Sequence, residues 1–248
     1  MRTANPALNA KTFTDVPRIT DTSRVMTIQG TVNKTFMMLL LLMIPAAWVW
    51  NQFFTSGTPQ AITLWLYGGL IGGFIVAMIT IFKKQWSPVT APLYAVLEGF
   101  AIGGISAFFE AQFPGIVIQA VALTFATLLC LLLAYKSKII KATENFKLGV
   151  VAATGGIAGI YMITIVLGFF GIRMPYIHES GPIGIGFSVV VVIVAALNLV
   201  LDFDFIERGA ASRAPKFMEW YAAFGLMVTL IWLYLEILRL LAKIAGRR

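Results

Sequence analysis

Long runs of apolar residues, separated by short polar or charged segments, fill the chain from about residue 35 to residue 241. A hydrocarbon core about 30 Å thick needs roughly 20 apolar residues in each crossing helix. Seven runs reach that length, and the short connections between them leave the backbone polar groups to be satisfied inside helices. The pattern therefore predicts seven transmembrane helices, over about residues 35–54, 61–82, 89–109, 115–135, 148–172, 182–203 and 217–241.

The start of the chain has a different character. Its first 30 residues are polar, so we expect a cytoplasmic tail over residues 1–30 and a transmembrane domain over residues 31–248. A cleaved signal peptide has an apolar run directly behind a short basic stretch, and no such early run occurs. We expect the first span to act as an uncleaved insertion signal.

The composition narrows the class of protein. Of the 248 residues, 59% are hydrophobic and 12% are charged, whereas about 25% are charged in a soluble domain. A soluble domain, a disordered chain and a disulfide scaffold are therefore excluded. The single cysteine, Cys130, cannot form an internal disulfide, and the single histidine, His178, leaves no zinc site. In a soluble protein the net charge of +8 would suggest nucleic-acid binding. In a membrane protein, basic residues instead reflect the orientation of the chain in the bilayer, so we expect no nucleic-acid partner.

The basic residues indicate an orientation. With the N-terminus inside, 14 of the 19 Lys and Arg residues lie in inner segments. Cytoplasmic loops carry such an excess, so the bias favours a cytoplasmic N-terminus. Seven complete spans would place the C-terminus outside together with four of the other five basic residues, and the side of the C-terminus is left open.

Acidic residues inside the predicted spans are the candidates for function, because a charge at the bilayer centre costs at least about 2.5–3.5 kcal/mol on insertion scales. Glu98 lies in the third span, Asp202 and Asp204 lie at the inner end of the sixth, and Glu236 lies in the seventh. Each also has a structural interpretation. Glu98 can accept a hydrogen bond from a neighbouring helix, and Asp204 can be solvated at the inner interface. Asp202 and Asp204 point to different sides of a helix, which makes the deeper Asp202 the better candidate.

The role of Glu236 depends on where the last span begins. A start near Phe217 puts Glu236 close to the outer interface, where it can pair with Arg239 or Lys243. A start near Phe224 puts it near mid-membrane, where it can contact Asp202. The sequence leaves both placements open.

Glycines four residues apart recur in several spans. In lipid no hydrophobic effect drives helices together, so association depends on close backbone approach at small residues. Tight bundle packing is the expected role, at Gly68/Gly72, Gly69/Gly73, Gly99/Gly103 and Gly155/Gly159.

Signatures of membrane enzymes do not occur in the sequence. An intramembrane serine protease needs a histidine base, but His178 lies in a connection between spans. An intramembrane aspartyl protease resembling presenilin has a Gly-x-Gly-Asp motif, which this sequence does not contain. No Walker or dinucleotide motif occurs on an inner segment. We expect neither enzymatic activity nor a cofactor.

Two acidic motifs on the last two spans resemble the signature of a known family. They are Leu199-Val-Leu-Asp202-Phe and Leu233-Tyr-Leu-Glu236-Ile, and a glycine-rich third span follows the basic pair Lys83 and Lys84. In these features the chain resembles the Bax inhibitor-1 family over about residues 32–245. It is most similar to a bacterial subgroup.

The resemblance implies both a fold and a function. The fold is all-α, with seven transmembrane helices of which six surround the last. The function is a pH-sensitive calcium leak, here across the bacterial inner (plasma) membrane, in which Asp202 and Glu236 correspond to a carboxylate pair that shares a proton. Lys83 or Lys84 would engage that pair, and the ionised pair would bind Ca²⁺ weakly as a permeant ion. This chain has Glu and Lys where the family pattern has Asp and Arg.

Two other functions compete with the leak. A non-conducting regulator would bind membrane proteins, such as a quality-control protease, through the polar tail. A proton-coupled transporter would need interrupted helices at corresponding positions in the two halves of the chain. The glycine-rich residues 181–186 are the single feature that favours this interpretation. Besides the lipid bilayer, the expected partners are therefore membrane proteins.

Overall fold

The computed structural model describes residues 25–171 and 181–247. Most of the predicted tail, residues 1–24, lies outside the described residues, as do His178, Arg173 and Arg248. The described residues are largely helical. Apart from the helices they contain a single antiparallel bridge between Val25 and Pro215.

Seven helices in the described residues are long and apolar enough to cross a membrane. They confirm the seven predicted spans and the all-α class. The most apolar stretch of the last helix is 61% buried, against 11% for the fifth. The bounds are α1 Ile28–Ser56, α2 Gln60–Phe82, α3 Ser87–Gln112, α4 Ile116–Lys136, α5 Glu144–Phe169, α6 Pro182–Ala211 and α7 Met218–Ala245.

Some helices extend beyond the predicted spans, because hydropathy marks the membrane-embedded part of a helix and not its end. α1 begins at Ile28, where the hydroxyl of Thr27 accepts a hydrogen bond from the Gly30 N–H over 3.0 Å. This is a helix cap, and it places the first turn of α1 in the segment predicted as tail. α6 continues past residue 203 to Ala211, through charged residues at which the apolar run stops.

α7 is one continuous helix from Met218 to Ala245. Residues 218–223, ahead of Phe224, are therefore part of the helix and not a separate segment. Where along this helix the membrane-embedded part begins stays a prediction. Glu236 lies in the second half of this helix and is buried all the same, with 2% of its surface exposed.

The chain divides into two compact units. The α4–α5 unit contains α4, α5, α6 up to residue 204 and α7 from residue 229. The α1–α3 unit contains α1, α2, α3, the end of α6 and the start of α7 up to residue 228. A short 3₁₀ turn, Lys84–Trp86, precedes α3 in this second unit.

Glycines bring the helices of the α1–α3 unit into close contact. A Cβ atom on Gly99 would overlap the carbonyl oxygen of Leu42 in α1, and a Cβ atom on Gly103 would lie 2.5 Å from the carbonyl oxygen of Ala46. Gly69 of α2 faces the backbone of α3 in the same way. The prediction of tight packing is confirmed at these positions.

The glycine pair of α5 has a different environment. A Cβ atom on Gly155 or Gly159 would have no atom of the described residues within 4 Å, and the same holds for Gly68 in α2. The packing prediction is wrong there, because the spacing of small residues does not tell which face of a helix meets a neighbour.

Candidate functional site

The α4–α5 unit contains both members of the carboxylate pair that the family resemblance implies, each on a helix long enough to cross a membrane. Asp202 of α6 is fully buried, and Glu236 of α7 is 2% exposed. A charge on either group costs free energy unless neighbouring groups compensate for the lost water. The surroundings of each carboxylate therefore decide what it can do.

Glu236 accepts hydrogen bonds from three side chains. The Tyr161 hydroxyl donates to Oε1 over 2.9 Å, and the Trp232 indole donates to Oε1 over 3.3 Å. The Arg239 guanidinium donates to Oε1 over 2.9 Å and to Oε2 over 3.1 Å. Arg239 also donates to the Tyr161 hydroxyl over 2.9 Å and lies 5.4 Å from the centre of its ring. The pairing of Glu236 with Arg239 is thus confirmed.

Lys243 lies two helical turns beyond Glu236 on the same face of α7. Its ammonium donates to the carbonyl oxygen of Gly184 over 3.0 Å and to the hydroxyl of Ser188 over 2.8 Å, both in the first turns of α6. Lys243 is 6% exposed and Ser188 is 1% exposed. We call this group of polar residues the Glu236 layer: Tyr161, Ser188, Glu236, Arg239 and Lys243.

Asp202 belongs to a second group of polar residues. One turn before it on α6, Asn198 donates to the Thr154 hydroxyl of α5 and to the Val194 carbonyl oxygen, each over 2.9 Å. Asn198 is buried and shares a face of α6 with Asp202, as residues four apart do. We call Thr154, Asn198 and Asp202 the Asp202 layer.

An apolar cluster separates the two layers. Ile157 of α5 and Val191 and Val194 of α6 are buried together, and Tyr161 and Trp232 pack against them. Along α5 and along α6, these three residues come between the members of the two polar layers. Such an order allows water or ions on either side of a dry constriction.

The register of α6 against α7 sets the distance between the two carboxylates. Lys243 contacts the first turns of α6, and Trp232 packs against the cluster that contains Val191, so the two helices are antiparallel here. Glu236 lies seven residues before Lys243 on α7, so it is nearer than Asp202 to the first turns of α6, and Asp202 lies roughly 15 Å further along α6 at 1.5 Å per residue. A proton shared by Asp202 and Glu236 stays a prediction. It requires a relay across the apolar cluster, because this register leaves no room for a hydrogen bond between the two carboxylates.

Asp204 has a partner that its sequence position did not indicate. The ammonium of Lys147, near the start of α5, lies 2.9 Å from Oδ2 of Asp204 and 3.1 Å from Oε1 of Glu144. Lys147 is 1% exposed, and the Asp204 side chain is 15% exposed. The interpretation of Asp204 as a solvated interfacial residue is therefore wrong, because the buried lysine holds it against α5.

The remaining predicted residues lie in the α1–α3 unit. Lys83 follows the end of α2 and is exposed, and Lys84 begins the 3₁₀ turn and is half-buried. Glu98 accepts a hydrogen bond from Tyr94, one turn earlier on its own helix. It also packs against Gly73 of α2, where a Cβ atom would lie 3.0 Å from its Oε1. The engagement of a carboxylate pair by Lys83 or Lys84 stays a prediction.

A buried carboxylate that the sequence did not single out lies at the start of α7, in the α1–α3 unit. Glu219 is fully buried and accepts hydrogen bonds from the backbone N–H and the hydroxyl of Thr27, each over 2.9 Å. Lys34 of α1 donates to Oε2 of Glu219 and lies 5.4 Å from the ring centre of Trp220. The ammonium of Lys216 lies 3.4 Å from Oε1.

The residues just before α1 are attached at the same place. The N–H of Met26 donates to the carbonyl oxygen of Ala214 over 2.7 Å. A Cβ atom on Gly30 would overlap the Glu219 carboxylate, so a larger residue at this position would require the carboxylate to shift. Thr27 is a recognisable helix cap in the sequence, but it is 192 positions from Glu219 and no local pattern connects the two. We call these residues the Glu219 cluster: Thr27, Gly30, Lys34, Lys216 and Glu219.

The described residues offer little capacity to bind a metal ion firmly. Across residues 25–171 and 181–247, no three His, Cys, Asp or Glu side chains are grouped so that they could hold one. Single carboxylates beside hydroxyl, amide and carbonyl oxygens are hard ligands that suit brief contact with a cation such as Ca²⁺.

Comparisons with known proteins give one informative result. A search of curated proteins found no match. The sequence model of the family described as Bax inhibitor 1 like matches residues 5–246, which is nearly the whole chain. The chain therefore belongs to the Bax inhibitor 1 like family.

Proposed function

We propose that this protein is a pH-sensitive cation leak of the bacterial inner membrane, with Ca²⁺ among its permeant ions and its N-terminus in the cytoplasm. The observation that carries the proposal is the order of layers in the α4–α5 unit. Each of two polar layers contains a buried carboxylate, and the apolar cluster lies between them. Such a leak needs neither a catalytic residue nor a cofactor.

The two carboxylates are the groups at which protons act. The ionised form of Glu236 holds Arg239 and Tyr161 through charge-assisted hydrogen bonds. Protonation removes the charge that binds the guanidinium. A change of charge at Asp202 likewise alters the cost of burying it among α6 neighbours. Either change favours a different packing of the helices, and this shifts the population between closed and open states.

The apolar cluster is the barrier in the closed state. Ile157, Val191 and Val194 offer no polar atom to a hydrated ion, and hydrophobic constrictions stop conduction by excluding water. Opening requires that water enters between the two polar layers. The carboxylate oxygens of Asp202 and Glu236 then bind the permeant cation weakly on either side of the barrier.

Calcium uptake into liposomes that contain the purified protein tests this proposal. We expect a flux that changes between about pH 5 and pH 8, and a different pH dependence for Asp202→Asn, because Asn cannot ionise. Glu207→Gln is the matched control, since Glu207 is an exposed carboxylate on the same helix. It should keep the pH dependence of the parent.

Two outcomes would contradict parts of the proposal. A folded protein that gives no more flux than empty liposomes at any pH would overturn the leak. A flux with an unchanged pH dependence in Asp202→Asn would keep the leak and remove Asp202 from the sensor.

The attachment at the Glu219 cluster favours a second function, a non-conducting regulator that binds membrane proteins such as a quality-control protease. The cluster fixes the chain at Met26 and Thr27, so the preceding tail starts from a defined point beside α7. Deleting residues 1–24 leaves the cluster intact. For a regulator, this deletion should abolish the effect on a partner and leave ion flux unchanged.

A further inference from the structure

We infer that Lys243 is a tethered cation that blocks the Glu236 layer to metal ions. The inference rests on the proposed leak, since it names the residue that controls passage at one of its two polar layers. The ammonium of Lys243 is hydrogen-bonded to the oxygen atoms that would otherwise bind an entering metal ion.

The geometry around Lys243 is that of a small oxygen site. Two of its contacts are with a backbone carbonyl, of Gly184 at 3.0 Å, and with a hydroxyl, of Ser188 at 2.8 Å. Carbonyl and hydroxyl oxygens can replace the hydration shell of a cation in a channel. Both the lysine and Ser188 are buried, so the ammonium is held inside the protein and not at its surface. A metal ion can reach these two oxygens only when the ammonium leaves.

The charges of the Glu236 layer add to the block. Among the residues of this layer, Glu236 supplies one negative charge, and Arg239 and Lys243 supply two positive charges. Charges act more strongly on one another in a partly buried site than in bulk water, because the effective dielectric constant is lower. A divalent cation that approaches this layer is therefore repelled as long as the lysine stays in place.

Lys243 is positioned so that it can leave its site. It lies two residues before the end of α7 at Ala245, and a four-carbon stem can extend its ammonium toward the membrane surface. Extension would open the oxygens of Gly184 and Ser188 to an ion. Conduction and displacement of the lysine are thus coupled.

Flux measurements on Lys243→Met test the inference, because methionine keeps most of the stem and has no charge. We expect K⁺ and Ca²⁺ flux into liposomes to rise about tenfold or more, which corresponds to a barrier lower by about 1.4 kcal/mol. Lys243→Arg keeps the charge and should stay near the parent flux. Lys141→Met is the matched control, since Lys141 is exposed in the connection between α4 and α5, and it should change nothing.

Ser188→Ala is a second variant that leaves the lysine in place. It removes the hydroxyl acceptor, and flux should rise by a smaller factor, about two- to fivefold. Thermal unfolding in detergent, followed by tryptophan fluorescence, shows which variants are folded. If Lys243→Met does not fold, the flux of Ser188→Ala decides the question.

The outcomes separate this inference from the proposed leak. A parent that leaks, with equal flux in Lys243→Met and Ser188→Ala, overturns the block and keeps the leak. If the parent protein gives no flux and Lys243→Met gives flux, the result supports the block and overturns the proposal that the parent protein leaks. No flux from any folded variant overturns both. Reduced flux in Lys243→Met also overturns the block, and a purely structural lysine would lower the unfolding temperature without raising flux.

Discussion

Glu219→Gln removes one negative charge from the Glu219 cluster and leaves the shape of the side chain nearly unchanged. Lys34 and Lys216 lose their charged partner. The backbone N–H of Thr27 keeps an acceptor, because the amide oxygen of glutamine can take the place of the carboxylate oxygen. The substitution therefore isolates the contribution of the charge.

The magnitude follows from the exposure of the two lysines. Removing one partner of a buried ion pair costs about 3–5 kcal/mol when the other charge stays buried. The loss is smaller here, because the Lys34 side chain is 16% exposed and that of Lys216 is 52% exposed, and both can extend toward water. We expect the free energy of unfolding to fall by about 2–3 kcal/mol. For a chain of this size, this lowers the unfolding midpoint by roughly 4–12 °C.

Thermal unfolding in detergent measures this change, and Glu144→Gln is the matched control. The Glu144 carboxylate also lies 3.1 Å from a lysine, but it is 70% exposed, so its loss should change stability by less than about 0.5 kcal/mol. The double variant Lys34→Met/Glu219→Gln should be no less stable than Glu219→Gln, because Lys34 has already lost its partner charge. Equal losses in Glu219→Gln and Glu144→Gln, or additive losses in the double variant, would refute the reasoning.

Two further predictions concern helix packing and the barrier. Gly99→Ala forces α3 away from the Leu42 backbone and should cost about 1–3 kcal/mol in the same assay. The identical change at Gly155, which faces open space, should be neutral or stabilise by up to about 1 kcal/mol, and a reversed order would show that the glycine contacts are not limiting. Val191→Thr adds a hydroxyl to the apolar cluster at similar volume and should raise Ca²⁺ flux, and a parent-like flux from a folded variant would place the barrier elsewhere.

Most of the fold could be predicted because a bilayer leaves few alternatives to apolar helices of fixed minimum length. The predicted bounds differ from the observed ones by one residue at the start of α2 and by one residue at each end of α4. The start of α1 at Ile28 was missed, since it depends on the Thr27 cap and not on hydropathy. Helix ends of this kind are set by side-chain hydrogen bonds in the polar zone, where hydropathy carries little information.

Less of the site could be predicted. Asp202 and Glu236 stand out because charged groups are rare in apolar spans, and the Arg239 pair follows from helical spacing. Tyr161 and Glu219 did not stand out. Their contacts connect residues 75 and 192 positions apart, and a contact of that kind leaves no local pattern in the sequence.

Asp202 and Glu236 lie roughly 15 Å apart along their helices, so pH is expected to act on them one at a time. Two carboxylates in contact share a proton and titrate as a pair. Here Glu236 has Arg239 and Tyr161 as partners, whereas Asp202 is fully buried one turn beyond Asn198 on α6. We therefore expect two pH-dependent steps in the flux, of which Glu236→Gln removes one and Asp202→Asn the other. A single step that either substitution abolishes would mean that the two layers act as one unit, and that the apolar cluster transmits the charge state of one carboxylate to the other.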